Sequence, residues 1–84
     1  MIAARIVDHI WATRKAESLQ GLKFMLAEQI DGDGSQMIVA DVIGAGVGDR
    51  VIVAQGTAAR RMLGDDTIPV DAAVIGIIDE REGV

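Results

Sequence analysis

Residues 22–43, LKFMLAEQIDGDGSQMIVADVI, contain two apolar segments separated by a turn. In the first segment, Leu22–Ile30, apolar side chains alternate with polar ones, which is the period of a strand. The second segment, Met37–Ile43, is aliphatic and bounded by turn residues. Between them, Asp31-Gly32-Asp33-Gly34 supplies the Asp-Gly pairs that tight hairpin turns prefer. The stretch therefore predicts a β-hairpin.

On the N-terminal side of the hairpin, Ile2–Thr13 also alternates and predicts a first strand. The expected apolar face has Asp8 as its one exception, and the polar segment Arg14–Gly21 is predicted to be a loop. We expect one face to carry Ile2, Ala4, Ile6, Ile10 and Ala12, and the other to carry Arg5, Val7, His9, Trp11 and Thr13.

On the C-terminal side, a glycine-rich loop precedes a fourth strand, Arg50–Gln55, and the last strand is Ala72–Ile78. The apolar runs in these strands predict burial on both faces, and Gly76 inside the last strand suggests a bulge or a close backbone approach. The one predicted helix is Ala58–Leu63. Its expected N-cap is Thr57, and its expected terminator is Gly64.

Five short strands and one short helix predict a mainly β fold, a small five-stranded antiparallel β-barrel, because closure removes exposed strand edges. We expect residues 1–79 to form a single domain and residues 80–84 to form a short charged C-terminal tail.

Composition excludes several classes of function. The chain has 84 residues, eight basic and thirteen acidic side chains, no cysteine, and two aromatic residues, Trp11 and Phe24. A formal charge of −5 argues against general nucleic-acid binding, and no apolar run reaches the ~20 residues of a membrane span. Half of the residues are hydrophobic, which exceeds what so small a core readily buries and suggests homo-oligomerisation.

Three patterns superficially resemble chemical sites. The loop Gly44-Ala45-Gly46-Val47-Gly48 leads into a strand, whereas a phosphate-binding glycine loop opens a helix. The acidic turn at Asp31 and Asp33 lacks the later ligands of a calcium loop. His9 is the only histidine and has no evident partner set. We therefore predict no catalytic, cofactor-binding or metal site, and no enzyme activity.

Taken in order, five stretches resemble the pentameric vertex proteins of bacterial microcompartments, the group that includes the carboxysome and ethanolamine-utilisation vertex proteins. Each stretch alone is weakly specific, whereas their ordered set is highly specific and covers nearly the whole chain. The stretches are Ile10–Lys15, Leu19–Lys23, Asp41–Asp49, Gly56–Arg60 and Pro69–Asp79.

The resemblance implies a β-barrel of OB-like topology and a structural role in the shell of a microcompartment in the bacterial cytoplasm, with no cofactor. The implied partners are further copies of the chain in a homopentamer and the hexameric facet proteins of the shell; neither nucleic acid nor a membrane is implied. The alternative left open is an OB-type module that binds nucleic acid or another ligand. Subunit contacts or the ring axis are expected to involve Trp11, Thr13, Arg14, Gly44, Ala45, Gly46, Val47, Gly48, Asp49 and Arg60.

Overall fold

In a computed structural model of the chain, which describes residues 1–79, the alternating segments form the strands of one sheet. The predicted tail, residues 80–84, lies outside the described residues. The elements are β1 (Ile2–Ile10), a 3-10 turn (Glu17–Leu19), β2 (Lys23–Gln29), β3 (Gln36–Asp41), β4 (Arg50–Gln55), helix α1 (Thr57–Met62) and β5 (Ala72–Ile77).

The sheet closes on itself in the strand order β1-β2-β3-β5-β4, which confirms the predicted small barrel with one short helix. Four neighbouring pairs are antiparallel, but β3 and β5 run parallel, with Ala40 opposite Ala73. A closed ring with an odd number of strands cannot alternate direction all the way round. The expectation of a wholly antiparallel barrel is therefore corrected at this one pair.

A β-bulge at Val7 reverses the alternation of β1. Ile6 lies opposite Ala27, but the next paired residue is Asp8, which lies opposite Leu26. The extra residue turns Asp8 away from the core, although Ile6 points into it. The predicted apolar face is therefore wrong beyond Val7, and Ile10 projects from the outer wall of the barrel.

The interior of the barrel is filled by aliphatic side chains from all five strands, among them Ile6, Met25, Val39, Val53 and Val74, each fully buried. A second cluster lies outside the barrel wall. There α1 and the connector after it cover β3 and β5, and the cluster contains Ala40, Ala59, Ile68, Val70 and Ala73.

The prediction that β4 and β5 are buried on both faces is wrong at two positions. The Ile52 side chain points out of the barrel and is 37% exposed, and Ile77 near the end of β5 is 46% exposed. Ala54 and Ala73 point outward as well, yet they are buried. The outer wall is therefore only partly covered at Ile52, whereas Ile77 lies opposite the core residue Val51 and is exposed at the end of its strand.

Helix α1 begins one residue earlier than predicted, so Thr57 is its first residue and not its cap. The N-cap is Gly56, whose φ of +63° suits glycine. The Thr57 hydroxyl oxygen instead accepts a hydrogen bond from Arg60 Nη2 at 3.2 Å. Gly64, with φ of +82°, follows the C-cap Leu63 and is the predicted terminator.

Candidate functional site

One buried carboxylate sets the conformation of the first half of the glycine loop. Asp41, at the end of β3, is 4% exposed. Its Oδ1 accepts the backbone N–H groups of Ile43 and Gly44 at 3.0 and 3.1 Å, and its Oδ2 accepts that of Ala45 at 2.9 Å. Three successive amides therefore converge on a single side chain, which stabilises the turn out of β3.

A second carboxylate and strand β1 hold the other half of the loop. Asp49 Oδ2 accepts the N–H of Gly46 at 2.8 Å. The backbone N–H of Gly48 donates to the Ile6 carbonyl at 2.8 Å, and that of Ile6 donates to the Asp49 carbonyl at 2.9 Å. Arg5 Nη1 donates to the Gly48 carbonyl at 2.9 Å. The loop is thus an extension of the sheet and closely attached to the barrel.

Lys23 completes this end of the barrel. Its Nζ lies 3.6 Å from Asp41 Oδ2 and donates to the Ala45 carbonyl at 3.2 Å. The Ala45 side chain is 2% exposed and belongs to the core. Protein carboxylates and carbonyls thus occupy the loop amides from 43 to 46 and at 48, so these groups are not free to bind a phosphate.

The loop presents aliphatic side chains to solvent even though its backbone is well anchored. Val42, Ile43 and Val47 are between 41% and 56% exposed. Because the backbone of this loop is hydrogen-bonded, its exposed apolar side chains are held in place. Binding of another protein to them would therefore cost little further conformational entropy. This arrangement is typical of a contact surface for another protein.

An apolar groove of about 290 Å³ crosses the outer wall of β1, β2 and β3. Its floor includes Ile10 and Phe24, which lie opposite each other in the β1–β2 ladder. Ile38, which is 55% exposed, forms one side, and Pro69 of the connector after α1 lies at another edge. The bulge at Val7 creates this groove, because it turns Ile10 outward.

Three residues predicted at subunit contacts lie beside this groove. Trp11, Thr13 and Arg14 are exposed, and their neighbours in the sequence, Ala12 and Lys15, line it. Lys15 Nζ lies 5.4 Å from the centroid of the Phe24 ring, within the range of a cation–π contact.

Among the large hydrophobic residues in the described part of the chain, Trp11 is the most exposed, with 85% of its surface accessible. Its ring stacks on that of His9, with centroids 5.4 Å apart and planes 18° from parallel. The backbone N–H of His9 donates to Asp8 Oδ1 at 2.8 Å. Stacking on His9 orients Trp11 while leaving most of its surface available.

Arg60 stabilises its own subunit. Its Nη1 donates to the Val70 carbonyl at 3.3 Å, so it ties α1 to the connector that borders the groove. Asp65 in that connector accepts the N–H and hydroxyl of Thr67 at 2.8 and 2.6 Å, and the hydroxyl bond lowers the pKa of Asp65 below its ordinary value.

The acidic turn between β2 and β3 is a hairpin turn, as predicted. Asp33 Oδ1 accepts both the N–H and the hydroxyl of Ser35, and the hydroxyl bond lowers the pKa of Asp33. Within residues 1–79, no three His, Cys, Asp or Glu side chains come together as metal ligands. No helix of that range is long and apolar enough to span a membrane.

A second apolar surface runs across neighbouring strands, and sequence reasoning missed it. Ala3 lies opposite Ile52, and Ile52 lies opposite Gly76. The N–H of Ile30 donates to the Ala3 carbonyl at 3.0 Å, which brings Ile30 beside them. Ile30 and Ile52 are each 37% exposed. We call Ala3, Ile30, Ile52 and Gly76 the aliphatic row.

Nine of the ten predicted contact residues divide into two kinds. Trp11, Thr13, Arg14 and Val47 are exposed and can reach another molecule. The remainder shape or anchor the protein locally, through positive φ, burial or hydrogen bonds of their own. This second group contains Gly44, Ala45, Gly48, Asp49 and Arg60. Gly46 has neither a positive φ nor a crowded Cβ position.

The sequence matches, over residues 1–79, the family described as "Ethanolamine utilisation protein EutN/carboxysome". It is 41% identical to the bacterial microcompartment shell vertex protein GrpN of Rhodospirillum rubrum (strain F11), over 100% of this chain and 99% of that protein.

The structure is similar to that of the pentameric microcompartment shell protein GrpN from Rhodospirillum rubrum, with a TM-score of 0.84 and 36% identity over 100% of each chain. It is also similar to the pentameric shell protein MSM0273 from the RMM microcompartment, with a TM-score of 0.86 and 38% identity over 100% of this chain and 96% of the other.

Proposed function

The chain belongs to the EutN/CcmL family of microcompartment vertex proteins, and we propose that five copies form a ring that closes a vertex of a polyhedral shell. Its role is structural and no reaction is assigned to it. The observation that carries this proposal is full-length agreement, in sequence and in barrel geometry, with two pentameric shell proteins.

The outer surface of the barrel supports an assembly of this kind. Exposed aliphatic side chains lie in different places, Ile38 and Ile52 on the barrel wall and Val47 on the glycine loop. Cyclic rings use heterologous contacts, in which one patch of a subunit meets a different patch on the next. Apolar surface in separate places is what such a contact requires.

The glycine loop and the residues beside the groove are proposed to lie at subunit contacts or near the ring axis. Val47, Trp11, Thr13 and Arg14 supply exposed side chains there. The remaining residues of the predicted set hold the backbone in place beneath those contacts. They are Gly44, Ala45, Gly48, Asp49 and Arg60, whereas Gly46 is proposed to pack closely against a neighbouring subunit. The ring's outer edge is proposed to meet the hexameric facet proteins of the shell.

Native mass spectrometry at micromolar concentration tests the ring directly. We expect the mass of five chains of 8.9 kDa each. A stable monomer under these conditions would contradict the proposed function.

Gly46→Val tests the role of the loop. The φ of Gly46 lies outside the left-handed region, and an added Cβ would meet only Asp49 Oδ2, at 3.8 Å. We expect the folded subunit to accept valine and the ring to be weakened, as measured by native mass spectrometry and circular dichroism. Ala58→Val, on an exposed position of α1, is the control and should leave the pentamer intact. An unchanged pentamer in Gly46→Val would refute close packing at this loop.

The exposed Trp11 ring favours a second candidate, an OB-type module that stacks on single-stranded nucleic acid. Titration of Trp11 fluorescence with single-stranded oligonucleotides at low salt separates the two. We expect no change, because the net charge of −5 repels phosphates. Salt-sensitive quenching would support the binding module.

A further inference from the structure

We propose that the groove on the outer wall of β1, β2 and β3 receives the aliphatic row of the next subunit, so that these two surfaces are the opposite halves of one ring contact. This inference rests on the proposed function, since it names the surfaces that a ring of this chain would join. Neither surface belongs to the set predicted from the sequence.

The groove is a concave apolar site with open space for side chains from another molecule. It has a volume of about 290 Å³, and its lining includes Ile10, Leu19, Phe24, Ile38 and Pro69. Ile38 is 55% exposed, which is unfavourable for so large an aliphatic side chain in the middle of a strand. Contact with another apolar surface would remove that exposed area from water.

The aliphatic row is a matching apolar surface on another part of the wall. Ala3, Ile52 and Gly76 lie side by side on β1, β4 and β5. Their strand neighbours Ala4 and Val51 point into the core, so the row faces outward. Ile52 projects furthest, because Ala3 and Gly76 on either side of it have little or no side chain.

Gly76 provides a second, independent observation that favours a subunit contact at the aliphatic row. Its φ is not in the left-handed region, and an added Cβ would make only an ordinary contact with Ile52 Cδ1, at 3.7 Å. The subunit alone therefore does not require glycine there, although glycine weakens a strand. Gly76 lies beside the irregularity in the β4–β5 register at Ile75, but its own φ and surroundings would accept alanine, so we attribute this glycine to close approach of a neighbouring molecule.

Two different surfaces imply a head-to-tail arrangement. If the groove met a second groove, the contact would be isologous and would stop at a dimer. When the groove of one subunit receives the aliphatic row of the next, a linear series of subunits ends with one unoccupied groove and one unoccupied row. The rotation between successive subunits can bring these two ends together and close a ring. The pentameric relatives have an odd number of subunits, which requires this kind of contact.

Two single variants, mixed, test the pairing. Ile38→Glu places a charge in the groove, and Ile52→Glu places one on the row. Both positions face solvent in the subunit, so the variants should retain its circular dichroism spectrum. We expect each variant alone to be monomeric by native mass spectrometry. A mixture of equal amounts should yield a dimer containing one copy of each, because only one intact groove and one intact row remain to meet.

The control is Met62→Glu on α1, a residue of similar exposure outside both surfaces, which should remain pentameric. If the unmodified chain is monomeric, the proposed function itself fails. If the unmodified chain is pentameric and either single variant is pentameric too, the assignment of surfaces is overturned. It is also overturned if both variants are monomeric and their mixture forms no dimer.

A milder substitution guards against an effect of charge on folding. Gly76→Ala adds one methyl group that the subunit accommodates, so its circular dichroism spectrum should match that of the unmodified chain. On dilution, we expect its pentamer to dissociate at a protein concentration at least tenfold higher than the concentration at which the unmodified pentamer dissociates. Dissociation at an unchanged concentration would overturn the close approach at Gly76.

Discussion

At the scale of single residues, Asp41 determines the conformation of the first half of the glycine loop. Its buried carboxylate accepts three backbone amides and lies 3.6 Å from Lys23 Nζ. Asp41→Asn offers one oxygen in place of two and turns an NH₂ group toward amide donors. We expect a loss of about 1–3 kcal/mol in the free energy of unfolding, the cost of unpaired buried amides.

Urea denaturation at equal protein concentration measures this loss, because association adds to apparent stability. The matched control is Asp66→Asn, which makes the same chemical change at an exposed position of the connector and should stay within about 0.5 kcal/mol. Equal stability of the two variants would show that the loop does not depend on the carboxylate. The sequence places Asp41 inside the predicted strand Met37–Ile43, whereas β3 ends at this residue, and its burial cannot be read from its neighbours.

At the scale of elements, α1 depends on its surroundings, because a helix of six residues is marginal by itself. Arg60 fastens it to the connector through the Val70 carbonyl. We expect Arg60→Ala to lower the free energy of unfolding by about 1 kcal/mol. Arg61→Ala removes the same charge from an exposed neighbour and should change it by less than about 0.5 kcal/mol. Thermal melting of both variants at one concentration measures the difference, and equal losses would contradict the role of Arg60.

Strand β1 shows what an alternating pattern predicts and where it fails. Periodicity predicts the strand and its start at Ile2, but an inserted bulge residue reverses the face toward which every later side chain points. The sequence contains one sign of this reversal, the polar Asp8 within the expected apolar face. The bulge is fixed by pairing with β2, which is a non-local contact, so the outward position of Ile10 and the groove could not be predicted.

At the scale of the whole molecule, the surplus of aliphatic residues predicts association, but the sequence does not separate core from contact surface. Val51 and Ile52 are adjacent and chemically similar, yet one fills the barrel and the other faces solvent. Only the register of the closed sheet distinguishes them. The barrel fold and the structural role could be predicted from the sequence. The groove and the aliphatic row could be identified only from the pairing of the strands in three dimensions.

Because a ring of this kind binds only folded subunits, its formation should couple stability to protein concentration. Each tenfold increase adds about 1 kcal/mol per chain for a five-membered ring, which raises the melting temperature by about 4–8 °C in a domain of this size. Ile38→Glu breaks the contact, so its melting temperature should not change with concentration. Calorimetry over a dilution series measures both. A concentration-independent melting temperature in the unmodified chain would mean that association contributes nothing to its stability, and the exposed aliphatic surface would then need another partner.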